Sequence, residues 1–216
     1  MANRPRRDRV MRAGRVLLVA GALVSAIQAF TSNSTAAPAA SGVGRPNAKP
    51  AAQRDDAGSF AAFLTAYPVF MHPRCRNCHP AGDVPLQGED SHLHAQNVTR
   101  GPDGKGLYAL KCANCHGLAN PPGEHMPPGN PNWHMTPVTM RMTFEGRTPA
   151  ELARQLQDPK QNGGKSLEQL IHHVEEDPLV LGGWSPGLGR STPPISHKEF
   201  TTKLREWVDK GAASRD

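Results

Sequence analysis

Two five-residue stretches, Cys75-Arg76-Asn77-Cys78-His79 and Cys112-Ala113-Asn114-Cys115-His116, contain all four cysteines of this 216-residue chain. In each stretch the two thiols are three residues apart, and a histidine follows the second thiol directly. On one helical turn this spacing lets both sulfurs reach the two vinyl-derived carbons at one edge of a porphyrin, while the histidine meets the iron. The repeated pattern predicts two haem c groups, attached covalently through Cys75, Cys78, Cys112 and Cys115, with His79 and His116 as proximal iron ligands.

Paired cysteines also serve in zinc sites and in redox-active disulfides. Two Cys-x-x-Cys pairs have acceptable spacing for a zinc site, and a single pair can form a redox-active disulfide. Neither use needs a histidine directly after the second cysteine of both pairs, whereas haem attachment does.

The interval between the motifs limits the architecture. Their first cysteines, Cys75 and Cys112, are 37 residues apart. This is too short for each haem to have an ordinary cytochrome domain of its own, so both haems are expected to share one fold and to lie near each other.

Helix start signals divide the rest of the chain. The residues from Phe60 to Met71 show helical periodicity, with Pro68 expected to kink or end the helix. Thr148 with Glu151, Ser166 with Gln169, and Ser196 with Glu199 predict three further helix starts. Residues 117–147 and 178–195 are expected to be irregular.

The predicted fold is therefore mainly α with extensive irregular loops, a single cytochrome c-like domain wrapped around two covalently attached haems. Gly and Pro make up 42 of the 216 residues, and aromatic residues only 5%. We therefore expect the porphyrins to supply apolar filling that the side chains lack.

The sixth iron ligands are less constrained by the sequence. No cysteine remains to act as a thiolate ligand, so histidine or methionine must serve, or a site is open. His94 and His134 are the favoured distal ligands, without assignment to a particular haem. His92 competes with His94, His173 is a further option, and His72 could reach a neighbouring haem. The methionines of residues 117–144 are expected to pack against porphyrin.

The positive charge of the chain is concentrated at its start. The formal net charge is +6, but residues 1–40 hold six of the 25 basic residues and one of the 19 acidic ones. Residues 41–216 are thus close to neutral, which argues against a nucleic-acid partner. The basic stretch, the short apolar run 16–30 and the small residues after it predict a signal peptide over 1–39, with an uncleaved membrane anchor as the alternative. Residues 40–58 have linker composition, and 59–213 are expected to form the di-haem domain.

Several runs of sequence resemble a known family. They are His72-Pro73-Arg74, the stretch from Cys78 to Asp83, Pro85-Leu86-Gln87-Gly88, Arg100-Gly101-Pro102-Asp103-Gly104, Trp133-His134, Asn162-Gly163-Gly164 and Trp207-Val208-Asp209. Over roughly residues 60–212 the chain is similar to small bacterial di-haem cytochromes labelled isoquinoline 1-oxidoreductase subunits, which occur with molybdenum-containing hydroxylases. His72, His94, His134 and His173 match family histidines. The family's cysteines near the C-terminus and in the helix containing Leu152 have no counterpart here.

The resemblance implies electron transfer rather than catalysis by this chain. The expected function is that of a periplasmic electron carrier between a dehydrogenase or molybdenum hydroxylase and the respiratory chain, with redox proteins as partners and no catalytic residues. The alternative is a di-haem peroxidase-like enzyme with one open iron. The short interval between the motifs argues against it, since such enzymes resemble longer chains with widely separated motifs.

Overall fold

The computed structural model describes residues 54–215. The predicted signal peptide and most of the predicted linker therefore lie outside the described residues. The helices are α1 (Asp56–Met71), α2 (Pro73–Arg76), α3 (Pro149–Gln157), α4 (Leu167–Glu176), α5 (Pro178–Leu181) and α6 (His197–Asp209), with 3₁₀ turns at Cys112–Asn114 and Gly182–Trp184. Two short antiparallel pairs complete the description: β1 (Leu86–Gln87) with β2 (His92–Leu93), and β3 (Gly106–Leu107) with β4 (Leu110–Lys111). The described chain is mainly helical, as predicted.

The three helix starts predicted from caps are confirmed. Thr148 forms a full capping box with Glu151 at the start of α3, and Ser166 forms one with Gln169 at the start of α4. The hydroxyl of Ser196 accepts the backbone N–H of Glu199 and caps α6. These starts are local, because a side chain satisfies a donor only three residues away.

Helix α1 does not end at Pro68 but continues through this exposed residue to Met71. Its most buried face also includes the small residues Ser59, Ala62 and Ala66, whereas Leu64 is exposed. Small side chains let α6 approach closely, and the Ser59 hydroxyl donates to the carbonyl of Trp207 at 2.7 Å.

A protein core joins α1, α3, α4 and α6. Phe63 packs against Trp207 with ring centroids 4.9 Å apart, and Phe70 contacts both Phe144 and Phe200 at 5.2 Å. Eight of the eleven aromatic residues belong to this core or pack against it. The expectation that the chain lacks apolar filling was wrong for the helical part, because its few aromatic residues are concentrated in one place.

The first cysteine motif adjoins this core through Cys75, and the second lies between the β3–β4 pair and a long loop region. Residues 117–147 are irregular, as predicted, but the segment 178–195 is not wholly so. Pro178 ends α4 and also opens α5, because the side chain of Asp177 accepts the N–H of Leu179 and a proline is favoured at the first helical position. Among residues 54–215, no helix combines the length and apolar character needed to cross a membrane.

Candidate haem sites

The first motif begins in α2, directly after α1. His72 caps this short helix, and the N–H of Cys78 donates to the carbonyl of Cys75 at 3.2 Å, so the two thiols share one turn. Burial raises the pKa of Cys75 to about 12 and that of Cys78 to about 11. Both thiols are therefore protonated at neutral pH.

The second motif forms a similar turn after the β3–β4 hairpin. The N–H of Cys115 donates to the carbonyl of Cys112 at 3.2 Å, and that of His116 donates to the same carbonyl at 2.9 Å. Cys112 is partly buried and Cys115 is exposed. All four cysteines are free thiols.

His79 is held in one orientation and one tautomer. Its Nδ1 lies 2.6 Å from the carbonyl oxygen of Met142, and its ring stacks on Phe144 at 4.0 Å. Because a carbonyl can only accept, Nδ1 carries the proton and Nε2 carries the lone pair. Burial lowers the pKa of His79 to about 4, so the ring is neutral at pH 7.

His116 repeats this arrangement with different partners. Its Nδ1 lies 2.7 Å from the carbonyl oxygen of Pro128, and its ring stacks on Trp133 at 4.1 Å with an interplanar angle of 7°. Burial lowers its pKa as well. A histidine whose Nδ1–H is bonded to a backbone carbonyl is oriented to ligate a metal through Nε2.

His94, a predicted distal ligand, lies opposite His116. The centroids of the two rings are 6.4 Å apart, and Nδ1 of His94 is buried without a hydrogen-bond partner. His94 and His116 are therefore the two imidazoles that would hold one iron at this site.

His134, the other predicted distal ligand, interacts electrostatically with His79, and so does His173. Nδ1 of His134 donates to the carbonyl of Asn132 at 2.6 Å, and Nδ1 of His173 lies 3.3 Å from a carboxylate oxygen of Asp177. Each has its Nδ1 engaged and is suited to ligation through Nε2. Two candidate imidazoles thus lie within electrostatic range of His79, and the ring of a third, His94, lies 6.4 Å from that of His116.

The remaining histidine candidates have both ring nitrogens engaged. Nδ1 of His72 accepts the N–H of Arg74, and its Nε2 lies 3.2 Å from the Ser191 hydroxyl. His92 is bonded to Asp90 through Nδ1 and to Gln87 through Nε2. Neither is oriented for an iron.

The two motifs lie within electrostatic range of each other. After burial, the thiol of Cys112 is the next contribution to the raised pKa of Cys78. The adjacent residues Trp133 and His134 are linked to different sites. Trp133 stacks on His116, whereas His134 interacts electrostatically with His79.

Unpaired buried polar atoms are concentrated beside the first motif. Seven such side-chain atoms occur among residues 54–215, and all belong to residues between Arg74 and Arg100. They include Nε atoms of three arginines, Arg74, Arg76 and Arg100, of which that of Arg100 lies at ion-pair distance, 3.3 Å, from a carboxylate oxygen of Asp83 without forming a hydrogen bond. Buried donors of this kind fit a ligand that carries anionic oxygens, as haem propionates do.

Sequence reasoning missed two residues that shape these sites. Phe144 stacks on His79, and its N–H donates to the carbonyl of His79 at 2.9 Å. Arg100 is 1% exposed and lies within electrostatic reach of both His79 and Cys78. A buried arginine between glycine-rich turns gives no periodic pattern, so the burial of Arg100 can be recognised only in the folded structure.

Comparison with protein-family models, curated proteins and solved structures gives no match. Among residues 54–215, no three His, Cys, Asp or Glu side chains converge into a group that could hold a metal ion.

Proposed function

We propose that this protein is an exported di-haem c-type cytochrome that transfers electrons. Cys75 and Cys78 hold one haem c, Cys112 and Cys115 hold the other, and His79 and His116 are the proximal ligands. A haem c group, when bound, supplies an iron that cycles between ferrous and ferric states and so carries one electron.

The observation that carries this proposal is that the two motifs hold their thiols and their histidine in the same arrangement. In both, free thiols on one turn are followed by an imidazole whose Nδ1–H is bonded to a backbone carbonyl, at Met142 for His79 and at Pro128 for His116. Each imidazole is thereby held neutral with Nε2 free to bind iron. A redox disulfide needs no such anchoring, and a zinc site does not need a histidine directly after the second cysteine of both pairs.

The sixth ligands follow from the opposed imidazoles. His94 binds the iron of His116, on the basis of the 6.4 Å separation of the ring centroids. His134 binds the iron of His79, because Asn132 fixes its ring on the loop that also supplies Trp133. With histidine on both sides of each iron, neither site is left open for peroxide.

The closeness of the two motifs supports transfer between the haems. Cys78 and Cys112 lie within electrostatic range of each other, and of the adjacent residues Trp133 and His134 the first stacks on His116 while the second lies within electrostatic range of His79. An electron received at one iron can thus pass to the other before it leaves the protein.

The donor is a dehydrogenase, as expected from the resemblance to cytochromes that accompany molybdenum hydroxylases, and the acceptor belongs to the respiratory chain. The periplasm is the proposed location, because covalent haem attachment follows export. The protein is bound to the membrane only where the segment 1–39 is retained.

A spectroscopic redox titration of the matured protein tests this function. We expect two reversible one-electron steps, low-spin six-coordinate spectra in both oxidation states, and no turnover of hydrogen peroxide with a reduced donor. Peroxide turnover together with a five-coordinate iron would favour the peroxidase instead.

A further inference from the structure

Arg100 is the most deeply buried charged side chain of the described residues, with 1% exposure. Its Nη1 donates to both the carbonyl oxygen and the hydroxyl of Thr136, at 2.6 and 2.7 Å, and its Nη2 donates to the carbonyl of Gly82 at 3.0 Å. Its Nε lies 3.3 Å from a carboxylate oxygen of Asp83. One guanidinium thus connects two chain segments besides its own.

These segments are the ones that carry the first haem site. Gly82 lies three residues after His79, and Thr136 lies two residues after His134. The backbone adds to the link, because the N–H of Arg100 donates to the carbonyl of Asp83 at 2.7 Å. Arg100 therefore fixes the loop of the distal ligand against the segment that follows the proximal ligand.

The charge of Arg100 is only partly compensated. Asp83 is the carboxylate that faces it, and Asp83 is 42% exposed and also pairs with Arg141 at 2.8 Å. Two guanidinium groups thus share one carboxylate. Solvent screens the half-exposed Arg141, whereas the buried charge of Arg100 acts through a medium of low dielectric constant.

A fixed positive charge favours the form of a nearby iron that carries less positive charge. When ferric iron takes up one electron, from dithionite in a titration or from the partner dehydrogenase, the charge at the iron falls by one. The buried guanidinium therefore stabilises the ferrous state over the ferric state.

We propose that Arg100 is a positioning residue for the first haem site, which holds the His134 loop in place and raises the reduction potential of the iron bound by His79. This inference rests on the proposed function. It adds a residue outside the haem-attachment motifs that sets the difference between the two potentials.

The test compares redox titrations of four variants of the haem-loaded protein with wild type. Arg100→Gln is expected to shift one of the two steps to lower potential, with an approximately tenfold lower ratio of ferrous to ferric iron at a fixed potential, or about 59 mV for one electron. Asp83→Asn removes the compensating carboxylate and is expected to shift the same step upwards. Arg100→Lys retains the charge and is expected to recover most of the wild-type potential.

Arg141→Gln is the matched control, since it also removes a guanidinium paired with Asp83, but a half-exposed one. We expect a much smaller shift from it. A merely structural role for Arg100 cannot produce shifts of opposite sign in Arg100→Gln and Asp83→Asn. If Arg100→Gln does not fold, the upward shift in Asp83→Asn and the nearly wild-type potential of Arg100→Lys still test the effect of the buried charge on the iron.

Equal potentials in all variants, or shifts of the same sign in Arg100→Gln and Asp83→Asn, would overturn this inference and leave the electron-transfer proposal intact. A wild-type protein without covalent haem would overturn both.

Discussion

At the scale of single residues, each predicted proximal histidine is oriented by a backbone carbonyl group from another part of the chain. Met142 is 63 residues from His79, and Pro128 is 12 residues from His116. The Cys-x-x-Cys-His pattern predicts these histidines as proximal ligands without the structure, because haem attachment would require them at these sequence positions. The carbonyl partners could not be identified in this way, since only loop packing brings them to the imidazoles.

His94 is the residue whose substitution most directly tests the second site. In His94→Ala, one of the two haems is expected to lose its sixth ligand, become high-spin and bind one carbon monoxide per protein in the ferrous state. The control is His92→Ala, two residues away, because both ring nitrogens of His92 are bonded to Asp90 and Gln87. Carbon monoxide binding equal in the two variants would contradict the assignment of His94.

At the first site, His134 and His173 compete for the same role. His134→Ala is expected to open the iron of His79 to carbon monoxide, while His173→Ala leaves the low-spin spectrum unchanged and loses only its interaction with Asp177. Absorption and electron paramagnetic resonance spectra distinguish the two variants. The reverse result would make His173 the ligand.

At the scale of elements, helix starts were predictable and helix packing was not. The caps at Thr148, Ser166 and Ser196 act within one turn, so the sequence alone locates them. The buried face of α1 depends on the approach of α6, which no local pattern encodes. Likewise, α5 begins at a proline that also ends α4.

The loop that carries His134 depends on one glycine. Gly104 has a φ of +76°, its carbonyl accepts the N–H of Met135 at 2.9 Å, and a Cβ atom there would overlap the carbonyl oxygen of Met135. Gly104→Ala is therefore expected to displace the loop, lower the midpoint of urea unfolding and perturb the spectrum of one haem.

Gly146→Ala is the matched control for this loop. Gly146 has a similar φ of +73°, but no atom lies within 4 Å of the added Cβ. It should show backbone strain alone, about 1 kcal/mol in the free energy of unfolding, with an unchanged haem spectrum. Equal effects of the two substitutions would show that contact with Met135 is unimportant.

At the scale of the whole molecule, the described chain combines a helical core with a loop region that holds the candidate haem sites. The core of Phe63, Phe70, Phe200 and Trp207 is made by side chains, contrary to the expectation from composition. The pattern that predicts the attachment residues is local in sequence, so it needs no structure to be recognised. The opposition of His94 to His116, and the bridging by Arg100, were not, because both depend on how the loops of residues 80–111 and 117–147 fold over each other.

The central claim is that each Cys-x-x-Cys-His motif holds one haem. The most direct measurement is the intact mass of the protein matured in a host that attaches haem, beside a Cys112→Ala, Cys115→Ala variant produced in the same way. We predict a mass increase of two haem groups for wild type, and of one for the variant. A wild-type mass equal to that of the polypeptide alone, or one accounted for by bound zinc, would contradict the account.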